Sequence, residues 1–156
     1  MQLTRFLPDE NATLLFGAAL AKALVPGLAI YLDGDLGAGK TTLVRGVLRG
    51  LGYAGKVKSP TYTLVELYTV SSLYLYHFDF YRFVDPHEWV DAGFREHFNQ
   101  DTVCLVEWPE KAGEFLPIPD VRIVLSVVDK SRSLHIHAET ETGKKCLARL
   151  EEEIKD

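Results

Sequence analysis

Residues 34–41 read Gly-Asp-Leu-Gly-Ala-Gly-Lys-Thr, which fits G-x-x-x-x-G-K-[ST] without a mismatch. No other stretch of the chain constrains the fold as much, because this loop works only between a buried strand and a helix N-terminus. Both flanks are present. Leu28-Ala29-Ile30-Tyr31-Leu32 is the short apolar run of a strand covered on both faces, and Thr41 to Leu51 reads as a helix stopped at Gly52. Glycines let the backbone curl until successive N–H groups face a phosphate, and the helix end adds partial positive charge. Lys40 would then reach the β- and γ-phosphates, and the Thr41 hydroxyl would ligate magnesium. The expected nucleotide-contacting set is Asp35, Leu36, Gly37, Ala38, Gly39, Lys40, Thr41 and Thr42.

The rest of the chain alternates helices and strands around this loop. Ala12, Leu15, Phe16, Ala19, Leu20, Ala23 and Leu24 recur at helical spacing, with Asp9 as N-cap and Pro26-Gly27 as the stop. Residues 62–80 predict a β-hairpin that turns at Ser71-Ser72. On its return strand Leu73, Leu75, His77 and Asp79 share one face, and Tyr74, Tyr76, Phe78 and Phe80 form the other, read as core. Pro86 to Phe98 reads as mostly helical, and Val103 to Val106 as a second buried strand ending in Glu107-Trp108-Pro109. Val121 to Val128 and Leu134 to Ala138 form a late hairpin around residues 129–132. A charged amphipathic helix follows Thr142-Gly143, with Cys146, Leu147, Leu150 and Ile154 inward. The expected architecture is α/β: a P-loop NTPase-like three-layer sandwich with a mixed central sheet and inserted β-hairpins. At 156 residues the chain is expected to be one domain, 1–156.

Charge and cysteine content narrow the partners. The formal net charge of −5 offers no basic footprint for direct DNA binding, although work on a nucleic acid through a partner stays open. Cys104 and Cys146 lie in apolar surroundings without metal spacing, as buried free thiols of a reducing compartment would. The residues after Met1 do not lead a basic segment into an apolar core, and no apolar run approaches the ~18 residues that span a bilayer. The expectation is a cytoplasmic protein with no membrane association.

Three further segments carry candidate chemistry. A P-loop needs a second acidic residue near the magnesium, at the end of another buried strand. Glu107 fits that place, although aspartate is the usual residue. Lys58-Ser59-Pro60-Thr61-Tyr62-Thr63 has the hydroxyls and the stiffening proline of a switch segment, in which Thr61 would sense magnesium and the γ-phosphate; an ordinary Ser-Pro turn is the other reading. His77 and Asp79 share a strand face, where Asp79 can orient or deprotonate an attacking water, Arg82 can meet phosphate, or the group can be a salt-bridged strand end. His135 and His137 fall on the outward face of an edge-like strand with no third ligand in sight. Trp89 and Trp108 are read as packing residues, with Trp108 directly after the proposed metal ligand.

Four motifs occur in order: Gly-Asp-Leu-Gly-Ala-Gly-Lys-Thr-Thr (34–42), Val-Lys-Ser-Pro-Thr-Tyr-Thr-Leu-Val-Glu (57–66), His-Phe-Asp-Phe-Tyr-Arg (77–82) and Val-Glu-Trp (106–108). Together they resemble the bacterial TsaE (YjeE) ATPases over essentially the whole chain, the last third by length and pattern alone. The resemblance implies a slow, magnesium-dependent ATPase that binds ATP or ADP. It implies a role in making threonylcarbamoyladenosine in tRNA, acting on the TsaB–TsaD heterodimer and touching tRNA only through that complex. It also implies that Thr41 and Glu107 hold magnesium, and that Lys40, Thr61 and Asp79 serve catalysis. Glu10 and Arg132 are further nucleotide contacts that it suggests.

Two other classes share the loop. A small-molecule or nucleoside kinase would add an acceptor pocket and an arginine-rich lid, whereas the arginines here are scattered. A GTPase would carry an N/T-K-x-D guanine reader, and Asp129-Lys130-Ser131 lacks that pattern.

Overall fold

A computed structural model describes residues 1–155. A seven-stranded mixed sheet in the order β1-β7-β6-β2-β5-β4-β3 forms the middle layer. Its strands are β1 (Gln2–Leu7), β2 (Ala29–Asp33), β3 (Val65–Val70), β4 (Leu73–Asp79), β5 (Thr102–Glu107), β6 (Val121–Val128) and β7 (Ser131–Ala138). Strands β4, β5, β2 and β6 run parallel to one another, and the antiparallel strands flank them on both sides. Helices α1 (Glu10–Ala21), α2 (Lys40–Gly50) and α4 (Glu141–Ile154) cover one face. The other face is covered only over its β2-β5-β4 half. There the short helix α3 (Glu88–Asp91) and two 3-10 segments enclose Phe78, Phe80, Trp89, Phe94 and Val106.

Strand alternation decides which residues meet the helices. Ile30, Leu32, Leu75, Leu105, Ile123 and Ile136 all point toward α1, α2 and α4. His77, Asp79 and Glu107 continue the same rows, so the apolar register carries these polar side chains toward the N-terminus of α2. Helices α1 and α2 touch at the backbone. A Cβ on Gly17 would lie 2.6 Å from the Leu43 carbonyl, and one on Gly46 would lie 2.5 Å from that of Leu14.

Several boundaries differ from the expected ones, each for a local reason. Strand β1 has no counterpart in the sequence reading; its apolar Leu3, Phe6 and Leu7 do not alternate, because on this edge Leu7 is buried, Leu3 is partly buried and Phe6 is exposed. Helix α1 ends at Ala21, and Ala23 and Leu24 are buried in the turn that follows, where apolar spacing continues without helix. Helix α2 begins one residue early, at Lys40, and ends at Gly50. The hairpin strand β3 begins only at Val65, because Leu64 adopts positive φ and bonds its N–H to the Pro60 carbonyl. Tyr74 is half exposed rather than core. Gly93 breaks the expected 86–98 helix into α3 and a 3-10 turn at Phe94–His97.

The late hairpin turns at Asp129-Lys130 alone, so Arg132 lies within β7, opposite Leu7 and Val127. Strand β7 sits between β1 and β6, so His135 and His137 are not on an edge; the His135 ring bonds the Thr4 hydroxyl. Helix α4 starts at Glu141 because the Thr140 hydroxyl accepts from the Gly143 N–H, which draws Thr142-Gly143 into its first turn. Among the described residues no helix is long and apolar enough to cross a membrane.

Candidate functional site

The glycine loop leaves the C-terminal end of β2 and enters α2, at the edge where the parallel strands end. Ligand sites of open α/β sheets gather there. Gly39 is the N-cap of α2 at φ 103°, a conformation a side chain strains to adopt. It has no side chain to cap the helix, so the first N–H groups of α2 stay open to a ligand. Lys40 folds back over the loop. Its Nζ donates to the Gly34 carbonyl at 2.5 Å and lies 3.7 Å from the centroid of the Trp108 ring. Burial lowers the Lys40 pKa despite the opposing pull of Glu107 and Asp79. Trp108 holds a left-handed backbone at φ 57° between Glu107 and Pro109, which turns the chain so that its ring caps the lysine.

Glu107 is almost fully buried at the end of β5, between Leu32 of β2 and Asp79 of β4. Its Oε2 accepts from the Thr41 hydroxyl at 3.0 Å and faces His77 Nε2 at 2.6 Å. Asp79, also buried, accepts the Tyr81 N–H on Oδ1 at 2.9 Å and the Thr61 hydroxyl on Oδ2 at 3.2 Å. Burial raises the Asp79 pKa above the ordinary aspartate range. The Tyr81 N–H opposes that shift, and the neighbouring Glu107 charge adds to it. Thr61 is tied in turn to Ser59, 2.8 Å between hydroxyls, so the 59–61 segment is pinned to the end of β4. Arg82 stacks on Tyr62 at 4.1 Å, at the rim.

These groups enclose a cleft of about 440 Å³ lined by residues 36–42 of the loop together with Thr61, Asp79, Glu107 and Trp108. A second cavity of about 280 Å³ lies across the loop, where Glu10, Lys130 and Arg132 meet Gly37, Ala38 and Thr42. Arg132 braces the loop itself: its Nε and Nη2 donate to the carbonyls of Ala38 and Gly37, both at 3.1 Å. Asp35 lies at the exposed start of the loop, outside both linings, and its carbonyl accepts from the Ala38 N–H. All the expected residues except Asp35 therefore line one of the two cavities. Three contacts were not foreseen: the hold of His77 on Glu107, the cover of Trp108 over Lys40, and the Arg132 brace. For the first a signal exists, since His77 stands two residues before Asp79 on one strand face.

A donor set of one threonine hydroxyl and one carboxylate, beside a buried ammonium, is hard oxygen chemistry that suits magnesium. The Thr41 hydroxyl spends its hydrogen on Glu107 and keeps its lone pairs for a cation.

The family profile described as threonylcarbamoyl adenosine biosynthesis protein TsaE matches residues 7–145. The chain belongs to the TsaE family. A tRNA threonylcarbamoyladenosine biosynthesis protein TsaE from Haemophilus influenzae is 45% identical over 151 residues, covering 94% of this chain and 96% of that one. Its Bacillus subtilis counterpart is 46% identical over 119 residues, 76% and 72% of the two chains. Among solved structures, Bacillus subtilis YdiB superposes with a TM-score of 0.84 at 31% identity, covering 97% of this chain and 95% of that one. This TsaE-family chain thus shares the mixed-sheet α/β fold of YdiB along nearly its whole length.

Proposed function

We propose that the cleft binds ATP or ADP with magnesium and hydrolyses ATP, in a protein of tRNA threonylcarbamoyladenosine biosynthesis that acts on the TsaB–TsaD pair. The observation that carries the reading is the meeting of three groups at the first turn of α2: the buried Lys40 ammonium, the Thr41–Glu107 bond and Asp79.

Lys40 and the open N–H groups of α2 supply positive potential for the β- and γ-phosphates. Magnesium, held by Thr41 with Glu107 behind it, would neutralise phosphate charge. Asp79 orients a water for attack on the γ-phosphorus and takes its proton, while the bond to the β–γ bridging oxygen breaks to give ADP and phosphate. Thr61, bonded to Asp79, keeps the carboxylate turned toward that water. Glu10 and Arg132 serve the nucleoside end from the second cavity. Arg82 is the one arginine lining the larger cleft among the described residues, against the arginine-rich lid of a small-molecule kinase.

The test is ATP hydrolysis measured with and without purified TsaB–TsaD. Turnover that is slow alone and rises with the pair supports the reading. No hydrolysis in either condition, or transfer of phosphate to a small acceptor, overturns it.

A further inference from the structure

His77 is completely buried at the centre of β4, one row behind the cleft. On that face Leu73 and Leu75 precede it as apolar core, and Asp79 follows it at the cleft. An imidazole in such a place costs free energy unless it is hydrogen-bonded, and the structure gives it one strong partner. Nε2 lies 2.6 Å from Glu107 Oε2, while Nδ1 is buried without any partner among the described residues. A carboxylate oxygen accepts, so Nε2 carries a hydrogen toward Glu107, and Nδ1 makes no bond of its own.

The same Oε2 accepts from Thr41, so two donors from two different elements converge on one oxygen. That fixes the carboxylate rotation and leaves Oε1 for whatever enters the cleft that Glu107 lines. The β4–β5 ladder makes the arrangement rigid: His77 is paired with Leu105, and Asp79 with Glu107.

We infer that His77 is a positioning residue of the magnesium site, which acts through Glu107 and touches neither nucleotide nor metal. The inference rests on the nucleotide-site reading above. Partners that orient metal-site carboxylates characteristically matter by roughly 10- to 100-fold in metal affinity.

The experiment contrasts His77→Gln with His77→Asn. The glutamine amide nitrogen reaches about as far as Nε2, whereas that of asparagine falls at the place of Nδ1 and stops short of Glu107. Calorimetry measures ADP affinity in magnesium and in EDTA for each variant and for the unaltered protein, and steady-state hydrolysis gives the magnesium half-saturation beside the KM for ATP. His77→Asn is expected to lose roughly 10-fold or more of the magnesium-dependent gain in ADP affinity, with binding in EDTA unchanged, and His77→Gln to restore most of it. In 15N-histidine spectra of the nucleotide-free protein, the His77 signal should be that of an Nε2–H ring.

Equal magnesium dependence in the asparagine and glutamine variants overturns the inference, as does an Nδ1–H ring. A fall in EDTA binding together with the magnesium effect would mean that His77 only supports the fold, and overturns it too. An unaltered protein that binds ADP no better with magnesium than without refutes the nucleotide-site reading instead.

Discussion

The ammonium of Lys40 rests 3.7 Å from the centre of the Trp108 indole, on the cleft side of the sheet. A cation over an indole face contributes about 0.5–2 kcal/mol, more as water is excluded. A phosphate that entered the cleft would compete for the same charge, which places Trp108 to report on occupancy.

Trp108 and Trp89 are the two tryptophans of the chain, and Trp89 is fully buried under the far face of the sheet. Addition of ATP should therefore change the intrinsic fluorescence through Trp108 alone. Trp108→Phe should keep nucleotide binding within a few-fold and lose the signal, whereas Lys40→Ala should weaken triphosphate binding. A signal that persists in Trp108→Phe would show that the ring does not sense the ligand.

Asp79→Asn keeps the size and most hydrogen bonds of Asp79 but removes its charge. Hydrolysis should fall by at least ~100-fold, the lower end of what a positioned base contributes, with ADP affinity within a few-fold. Because burial raises this carboxyl above its unfolded value of 3.8, the folded state holds the proton more tightly. Its contribution to stability is present below that value and is lost as pH rises through the folded pKa. Above the folded pKa the ionised carboxylate is therefore a liability, and there the nucleotide-free Asp79→Asn variant should melt no lower than the unaltered protein. A lower melting point joined to lost binding would make Asp79 a support of the site instead.

Glu107→Ala should fold and bind ADP in EDTA, and should lose the magnesium dependence of hydrolysis. Survival of both hydrolysis and its magnesium dependence would reduce Glu107 to a strand end.

Burial pushes the Cys104 thiol up to about 12 and that of Cys146 up to about 11, from 9.0. Each folded pKa is raised, so the stability they contribute is present below pH 9 and is lost as pH rises through 11 and then 12. Urea midpoints should drop over that window. Neither thiol should react with an aromatic disulfide reagent until the protein is denatured; rapid native labelling would contradict their burial.

Gly46→Ala places a methyl group on the Leu14 carbonyl, 2.5 Å from the ideal Cβ position, so α1 and α2 must part. Stability should fall by about 1–3 kcal/mol, read from denaturant melts, the usual cost of overpacking. An unchanged melt would show that the helices yield freely.

Much of this was legible in the sequence because chemistry and periodicity coincide there. The loop at 34–41 is a covalent pattern whose spacing is its function, and the alternation of Leu73, Leu75, His77 and Asp79 already put two polar side chains on the helix-facing side of β4. Strand β1 was not legible, since its apolar Leu3, Phe6 and Leu7 break the two-residue alternation and Phe6 faces solvent on the edge. The helical reading of 86–98 failed at Gly93, where a residue at φ 73° ends α3 after a single turn. The Arg132 brace was out of reach because it joins positions 94 and 95 residues apart, a distance that only the sheet order closes.

The contact of Gly17 and Gly46 also decides where the molecule can yield. Sliding α2 past α1 would have to separate backbone from backbone, so Lys40 and Thr41 act as a fixed datum. Glu107 and Asp79 are locked to each other by the in-register ladder of β4 and β5. The open part is the rim: residues 58–63, largely exposed, tethered through Thr61 to Asp79 and carrying Tyr62 at 80% exposure. The floor of the cleft is thus built for fixed geometry, and the surface it leaves open to the outside is its lip.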